Sequence, residues 1–312
     1  MSDSKNGTLC ILGCGNLGTA ILKSLLSNNE SLFSKYICCV QTESSAQRLR
    51  SQFPTAPNLQ ISTGGNTLQP IQDANVIILA LDPSVIHAVL TTAGLRPALA
   101  GKLLISVAAG WTAQKLEETL YSLSSSSSSD GHGNILPGTS QTSKEEVFIL
   151  RALPNIAAQV GQSLTAIEID PTRPIPPPHL DLTERIFSAV GKTLHVPPSL
   201  MDAATAVAGS TPAMFAVIVD AMIDASVAVG VPRQMAAQMV FQAMHGTAEM
   251  LQGGMHPGVV RDLGTAPEGC TIGGLMVLEE RGVRGGVGRA VREAVTVARR
   301  MDGVGHVNDT RV

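Results

Sequence analysis

A short apolar run followed at once by three closely spaced glycines constrains the fold of this chain more than any other stretch. Residues 9–12 predict a buried strand, and a helical pattern begins near Asn16. Between them stand Gly13, Gly15 and Gly18 at the G-x-G-x-x-G spacing. In that order the glycines permit a tight turn, the approach of a pyrophosphate to bare backbone, and close helix–strand packing. The alternative is a glycine-rich turn without a ligand, but the flanking strand and helix favour a dinucleotide site.

Strand-like and helical stretches alternate after this turn, which predicts an α/β domain with a doubly wound, Rossmann-type parallel sheet. Further strands are predicted at 36–40, 61–63, 76–81, 102–107, 147–152, 163–169 and 193–196, and helices at 83–92, 111–120 and 180–190. A serine-rich segment, residues 122–146, interrupts the pattern and is expected to be a low-complexity surface insertion. We therefore assign residues 1–197 to a dinucleotide-binding domain.

The chain from residue 198 to 312 shows helical spacing and no convincing strand, which predicts an all-α second domain. Helices are expected at 201–208, 212–229, 232–251, 271–281 and 284–301. The second of these carries a broad apolar stripe formed by Met214, Val217, Ile218, Ala221, Met222 and Ala225. Such a stripe is either core within the domain or a buried dimer face, because a small helical unit has limited core of its own.

Composition narrows the function classes. The net charge is −3 and aromatic residues make up 3% of the chain, so nothing favours nucleic-acid binding. No apolar run is expected to reach membrane-spanning length, and the N-terminus lacks the pattern of a signal peptide. The histidines show no ligand-like pairing, so no metal site is expected. The five cysteines form no C-x-x-C pair, which favours a reducing, cytoplasmic environment.

The end of the second strand bears on the choice of cofactor. An NAD site usually has an acidic residue there to bind the ribose hydroxyls. This chain has Gln41 and Thr42 instead, with Arg48 as the nearest cation and Glu43 as a mild counter-argument. We predict NADPH, with NADH as the possible alternative. The candidate cofactor-binding residues are Gly13, Gly15, Asn16, Leu17, Gly18, Gln41, Thr42, Asn66, Leu81, Ala108, Ala109 and Asn155.

Several segments together resemble the pyrroline-5-carboxylate reductase family. They are GCGNLG at 13–18, ISVAAG at 105–110, RALPN at 151–155, AGSTPAMF at 208–215 and the long stretch from His256 to Val291. The resemblance implies a Rossmann domain, a helical dimerisation domain and reduction of the cyclic imine 1-pyrroline-5-carboxylate to L-proline by NADPH or NADH. It also implies a homodimer or higher oligomer, with an active site between the domains that is completed at the dimer interface.

The resemblance places the substrate at the start of the helix near Thr271. Backbone N–H groups of Gly269, Cys270 and Thr271 would face the substrate carboxylate there, beside Ala266. The Thr271 hydroxyl would bond the ring nitrogen or the carboxylate; spacing alone is equally compatible with an ordinary helix N-cap. Reduction of a protonated imine needs no obligatory histidine base, because the iminium is already electrophilic.

Departures from the family pattern leave two alternatives open. Glu268 stands where the family has glycine, Ala266 replaces a serine, Thr211 replaces a glycine, and Asp82 stands where many members have lysine. These changes motivate a related reductase of a six-membered imine such as a piperideine carboxylate, giving a pipecolate-type product. They also motivate a catalytically inactive nucleotide-binding protein.

Overall fold

The computed structural model describes residues 7–27, 31–65, 67–122, 146–301, 303 and 305–311. The described chain divides into two compact units. The first falls within Met1–Gly209 and Val297–His306, and the second within Ser210–Thr296 and Val307–Val312. The serine-rich segment lies outside the described residues except for Ser122 and Glu146.

The first unit is built on an eight-stranded sheet with the strand order β3-β2-β1-β4-β5-β6-β7-β8. The strands are β1 (Thr8–Leu12), β2 (Lys35–Cys39), β3 (Leu59–Ser62), β4 (Val76–Leu79), β5 (Leu103–Ser106), β6 (Phe148–Leu153), β7 (Ser163–Glu168) and β8 (Gly191–Val196). Strands β1 to β6 pair in parallel, and β1 lies between β2 and β4. The strand order reverses at β1, and this is where open parallel sheets bind ligands.

Helices cover both faces of this sheet, as the sequence predicts for a doubly wound domain. They are α1 (Asn16–Ser27), α2 (Glu43–Gln52), α3 (Leu68–Asp73), α4 (Pro83–Leu90), α5 (Leu95–Leu99), α6 (Ala113–Tyr121), α7 (Pro177–Ser188) and α8 (Met201–Ala204). Side chains from α1, α2 and α7 bury one face of the sheet, and side chains from α3 to α6 bury the other. Thr112 caps α6, because its hydroxyl accepts the Lys115 N–H at 3.0 Å.

Two strands, β7 and β8, depart from the parallel sheet that the sequence predicts, because β8 pairs in parallel with β7. Strand β7 runs antiparallel to β6, and the two pair only through Ala152 with Ile167 and Leu153 with Ala166. The connection between them, residues 154–162, contains only the short 3₁₀ helix Ile156–Val160. A parallel crossover needs a dozen or more residues, so this link can only return the chain in the opposite direction.

The second unit contains helices α9 (Thr211–Ala228), α10 (Arg233–Gln252), α11 (Pro257–Leu263), α12 (Cys270–Glu280) and the first part of α13 (Val283–Met301). Among the described residues of α9 only Ile223 is buried, whereas Phe215, Val217 and Met222 are exposed. The described residues therefore leave most of the stripe on this helix uncovered, which favours the dimer-face interpretation over the intradomain core.

The helical stretch Pro198–Ala228 corrects the expectation that no apolar run reaches membrane-spanning length. A 3₁₀ turn, α8, the π-helical turn Thr205–Ser210 and α9 follow one another without a break. The most apolar window of this stretch has a mean hydropathy of 1.7 and is 11% buried, so length and composition alone would allow it to cross a membrane. The stretch thus presents a large apolar surface, of the kind that a membrane or a second protein chain would bury.

Candidate functional site

The turn between β1 and α1 requires glycine at its first position. Gly13 has a φ of 92°, and a Cβ atom there would lie 2.4 Å from the carbonyl oxygen of Ala80. Its N–H donates to the carbonyl of Cys39 at 3.0 Å, which ties the turn to the end of β2. The chain can therefore leave β1 sharply only with a residue that lacks a side chain.

The other two glycines of the motif have opposite surroundings. A Cβ at Gly18 would lie 2.2 Å from the carbonyl oxygen of Gly13, so α1 packs directly on the turn. A Cβ at Gly15 would meet nothing within 4 Å, and Gly15 is exposed. Helix α1 begins next to it at Asn16, with Leu17 half-buried behind. This open backbone at a helix N-terminus fits a pyrophosphate, since the free N–H groups and the helix dipole both favour an anion.

Hydroxyl groups are gathered where β2 passes into α2. Thr42 caps α2 by accepting the Ser45 N–H at 3.2 Å. Its Oγ1 also lies 3.0 Å from the hydroxyl oxygens of Ser44 and Ser45. Gln41, just before it, is exposed. This side of the site therefore presents neutral donors rather than a carboxylate.

The charged side chains beside these hydroxyls also favour an anion. Arg48 donates to the carbonyl of Cys14 at 2.6 Å, which places a guanidinium against the glycine turn. Glu43, which argued against a phosphate in the sequence analysis, pairs with Arg50 at 2.5 Å. The positive charge of Arg50 offsets the negative charge of the Glu43 carboxylate.

A cavity of about 190 Å³ lies at the carboxyl ends of β1, β2 and β3. Its lining includes the predicted residues Gly13, Gln41 and Leu81. It also includes residues that the sequence analysis did not select: Leu12, Cys39, Val40, Ser62, Thr63, Gly65, Thr67, Val85, Val89 and Thr92. Asn66, a weaker candidate, lies outside the described residues. The lining residues that the sequence analysis did not select could have been identified from the strand order 3-2-1-4, because that order brings these strand ends together.

The ends of β4 and β5 carry three further candidates. Leu81 is half-buried after β4, while Ala108 is buried and Ala109 half-buried after β5. Asp82 caps α4, and its carboxylate accepts the Ser84 hydroxyl at 2.6 Å and the Ser84 N–H at 2.9 Å. These hydrogen bonds lower the pKa of Asp82. The departure from lysine at this position therefore has a structural role.

Asn155 has a different environment from the other candidates. Its side-chain oxygen accepts the Ala157 N–H at 3.0 Å and caps the short 3₁₀ helix. Its side-chain amide donates to the carbonyl of Ala208 at 2.8 Å, and its own N–H donates to the Ser163 hydroxyl. Asn155 thus links the end of β6 to the π-helical turn, and these bonds occupy its side chain at both ends.

The predicted substrate residues lie at the start of α12 in the second unit. Gly269 is the N-cap residue, and Cys270 and Thr271 are the first two residues of the helix. No side chain caps this helix, so the structure does not support an ordinary N-cap role for Thr271. Gly269 differs from the expectation because its N–H already donates to the carbonyl of Ala266 at 3.0 Å. The N–H groups of Cys270 and Thr271 belong to the first helical turn, whose donors have no intrahelical acceptor.

Glu268, two residues before α12, has an unusual backbone conformation. Among the residues that the structure describes, Glu268 is the one non-glycine residue with a positive φ, at 61°. The left-handed conformation costs a residue with a Cβ about 1–2 kcal/mol, whereas glycine adopts it freely. The acidic residue at this position thus carries a conformational cost that glycine would avoid.

We expect Glu268→Gly to raise the free energy of unfolding by roughly 0.5–1 kcal/mol, since relief of the left-handed strain exceeds the entropy cost of an added glycine. Glu268→Ala is the matched control: it also removes the carboxylate but keeps the Cβ atom, so it gives no such gain. Urea unfolding of the three proteins measures the difference. Equal stability of the Gly and Ala variants would contradict the strained conformation.

Comparisons with known proteins agree with both units. The family described as "Pyrroline-5-carboxylate reductase dimerisation" matches residues 198–301, and the family described as "NADP oxidoreductase coenzyme F420-dependent" matches residues 8–110. The pyrroline-5-carboxylate reductase of Lophium arboricola is 37% identical over 333 aligned positions, covering 99% of each chain. That of Neurospora crassa is 33% identical over 343 positions, covering 100% of this chain and 98% of the relative.

A solved structure shares the fold. The crystal structure of Plasmodium falciparum pyrroline carboxylate reductase with NADP bound superposes with a TM-score of 0.75 at 23% identity, covering 95% of this chain and 98% of that one. The sequence matches extend over both units and nearly the full length of the relatives. The chain belongs to the pyrroline-5-carboxylate reductase family.

Proposed function

We propose that this protein reduces 1-pyrroline-5-carboxylate to L-proline, with NADPH as the hydride donor. The observation that carries the proposal is the match to a pyrroline-5-carboxylate reductase at 37% identity over 99% of both chains. The glycine turn supports it, because Gly13 and Gly18 have no room for a side chain and Gly15 leaves its backbone open. A turn of this shape is suited to a dinucleotide pyrophosphate.

The first unit would hold the cofactor, which supplies a hydride when bound. The backbone at Gly15, Asn16 and Leu17 would bind the pyrophosphate, and the cavity at the ends of β1 to β3 would take the adenosine part. Leu81, Ala108 and Ala109 would line the adjacent strand ends. Asn155 is proposed to help shape the cofactor site by its position after β6, since both ends of its side chain are already hydrogen bonded.

The preference for NADPH over NADH would come from the segment between β2 and α2. The hydroxyls of Thr42, Ser44 and Ser45 can donate to a 2′-phosphate, and Arg48 adds a positive charge nearby. Gln41 adds no charge that would repel the phosphate. A site for NADH would normally place a carboxylate at this point instead.

The second unit would hold the substrate at the start of α12. The N–H groups of Cys270 and Thr271 and the helix dipole would bind the substrate carboxylate, with Ala266 and Gly269 shaping the turn beside them. The Thr271 hydroxyl would bond the ring nitrogen or the carboxylate. No histidine is assigned as a base, because a protonated imine is already electrophilic and the protein has to orient it and exclude water.

The decisive experiment crosses NADPH and NADH with five- and six-membered cyclic imino acids and follows the loss of reduced-cofactor absorbance. The proposal expects the highest kcat/KM with 1-pyrroline-5-carboxylate and NADPH. A clear preference for a piperideine carboxylate would instead support the second candidate, which the departures from the family pattern at Ala266, Glu268 and Thr211 motivate. NADPH binding without reduction of either imine would indicate an inactive family member.

We expect Thr271→Ala to lower kcat/KM for the imine by roughly 10- to 100-fold, the effect of losing one hydrogen bond to a charged partner. Thr271→Ser keeps the hydroxyl and should retain most of the activity. The Kd for NADPH and the free energy of unfolding should change little, because Thr271 makes no cap bond in α12. Unchanged kinetics in Thr271→Ala would remove this residue from the proposed site.

The assembly proposed here is a homodimer or a higher homo-oligomer. The match to the dimerisation family and the exposed apolar side chains of α9 and α10, such as Phe215, Met222 and Phe241, support it. A second copy of the chain would cover these side chains. We also propose a cytoplasmic location, with no membrane or nucleic-acid partner and no bound metal.

A further inference from the structure

Two cysteine side chains meet at the edge of the cavity described above. The sulfur atoms of Cys10 in β1 and Cys39 in β2 lie 3.8 Å apart. Both residues are free thiols and both are buried, but Cys39 lines the cavity and keeps 7% of its surface exposed, whereas Cys10 is fully buried behind it. The pair thus has one member that a small solute in the cavity can reach and one that it cannot.

The two thiols differ in acidity in the direction that oxidation chemistry requires. The two sulfur atoms share a hydrogen bond in which either thiol can be the donor, and this contact lowers the pKa of Cys39 while raising that of Cys10. The thiolate is the nucleophilic form of cysteine. Cys39 is the member that the cavity exposes, so it reacts first, and Cys10 is the neighbouring thiol that can react with its product.

We propose that Cys39 and Cys10 form a redox-sensitive dithiol that small hydroperoxides oxidise when the cavity holds no nucleotide. The Cys39 thiolate attacks a peroxide oxygen, the O–O bond breaks, and the leaving oxygen takes a proton, as water when the oxidant is hydrogen peroxide. The sulfur is oxidised to a sulfenic acid as the peroxide is reduced. The Cys10 thiol then attacks that sulfur, its proton leaves with the hydroxyl group as water, and a disulfide forms.

The geometry of the strands connects this bond to the glycine turn. In the β1–β2 ladder Cys10 pairs with Ile37 and Cys39 pairs with Leu12, so the two cysteines are diagonal neighbours. The spacing between strands and the rise per residue place such diagonal positions about 8 Å apart, and a disulfide across more than about 7 Å closes only with backbone movement. The backbone that would move includes the Cys39 carbonyl, which accepts the Gly13 N–H at 3.0 Å. Oxidation would therefore displace the turn proposed to bind the pyrophosphate.

The test treats the NADPH-free protein with hydrogen peroxide, blocks the remaining thiols and maps the linkages by mass spectrometry. The Cys38→Ala variant serves as the working background, because Cys38 neighbours Cys39 in sequence but faces the opposite side of the sheet, in contact with Cys14. We expect a Cys10–Cys39 disulfide, a roughly tenfold or greater rise in the Kd for NADPH, and recovery of both after treatment with dithiothreitol. Cys10→Ala should instead leave a sulfenic acid on Cys39 that dimedone traps.

The outcomes can be told apart from those of the proposed function. Only the predicted effect on NADPH binding rests on that function. Disulfide formation is read on the protein without cofactor, so it does not depend on catalysis. Saturating NADPH should protect Cys39 from peroxide. A peroxide-treated Cys38→Ala protein that keeps its Cys39 thiol, or that retains a stable sulfenic acid on Cys39 in the presence of Cys10, would overturn the dithiol.

Discussion

The Gly18→Ala substitution should lower both the free energy of unfolding and the affinity for NADPH. Its Cβ would lie 2.2 Å from the carbonyl oxygen of Gly13, and a backbone atom cannot move aside as a flexible side chain can. Overpacking of this kind costs about 1–3 kcal/mol. The turn must open to accept the methyl group, so we expect the Kd for NADPH to rise by more than about tenfold together with the fall in unfolding free energy.

Gly15→Ala separates the two effects. A Cβ at Gly15 meets no protein atom within 4 Å, so the free energy of unfolding should change by less than about 0.5 kcal/mol. The new methyl group would occupy the open backbone proposed to contact the pyrophosphate, and NADPH affinity should still fall by about tenfold or more. Urea unfolding and equilibrium fluorescence titration give the two readouts. Wild-type NADPH affinity in Gly15→Ala would show that this turn does not hold the pyrophosphate.

Removing either partner of the Arg151–Glu168 ion pair should lower stability more than Gly18→Ala does. The guanidinium of Arg151 donates to the Glu168 carboxylate at 2.9 Å, and the two side chains are only 3% and 8% exposed. A buried charge that loses its partner costs about 3–5 kcal/mol, because water cannot replace the lost bond. We expect Arg151→Met and Glu168→Gln each to lower the unfolding free energy by this amount.

A double variant and an exposed pair provide the controls. Arg151→Met combined with Glu168→Leu removes both charges, so it should be more stable than Arg151→Met alone. Arg50→Ala breaks the exposed pair with Glu43, whose side chains are 53% and 56% exposed, and should cost less than about 1 kcal/mol. Equal losses in Arg151→Met and Arg50→Ala would mean that solvent reaches the β6–β7 pair.

The sequence predicted those parts of the fold whose signals are local. The strand, the three glycines and the helix from Thr8 to Ser27 are contiguous, and the Thr112 cap is set by its own neighbours. Helix α2 was missed because only Ala46 and Leu49 are buried in a polar stretch, which leaves little apolar periodicity to detect. The antiparallel direction of β7 was within reach of the sequence, because the predicted strands at 147–152 and 163–169 already leave too short a connection for a parallel crossover.

In the candidate site, too, the residues with local sequence signals could be predicted and those brought together only by the fold could not. The glycine turn and the Gln41–Thr42 segment could be selected from spacing and residue type. Cavity residues such as Ser62 and Val85 could not, because they meet Gly13 only through the order of the strands. The strained backbone of Glu268 is likewise a tertiary property, although its difference from the family pattern was visible in the sequence.

The hydroxyl groups of Thr42, Ser44 and Ser45 stand on the outside of the molecule, supported by their own helix cap rather than by the core. Mutation can therefore exchange them without disturbing the strands beneath. If these hydroxyls bind the 2′-phosphate as proposed, a few such replacements would let selection shift the protein between phosphorylated and unphosphorylated nucleotides, while the rest of the nucleotide-binding scaffold is inherited unchanged.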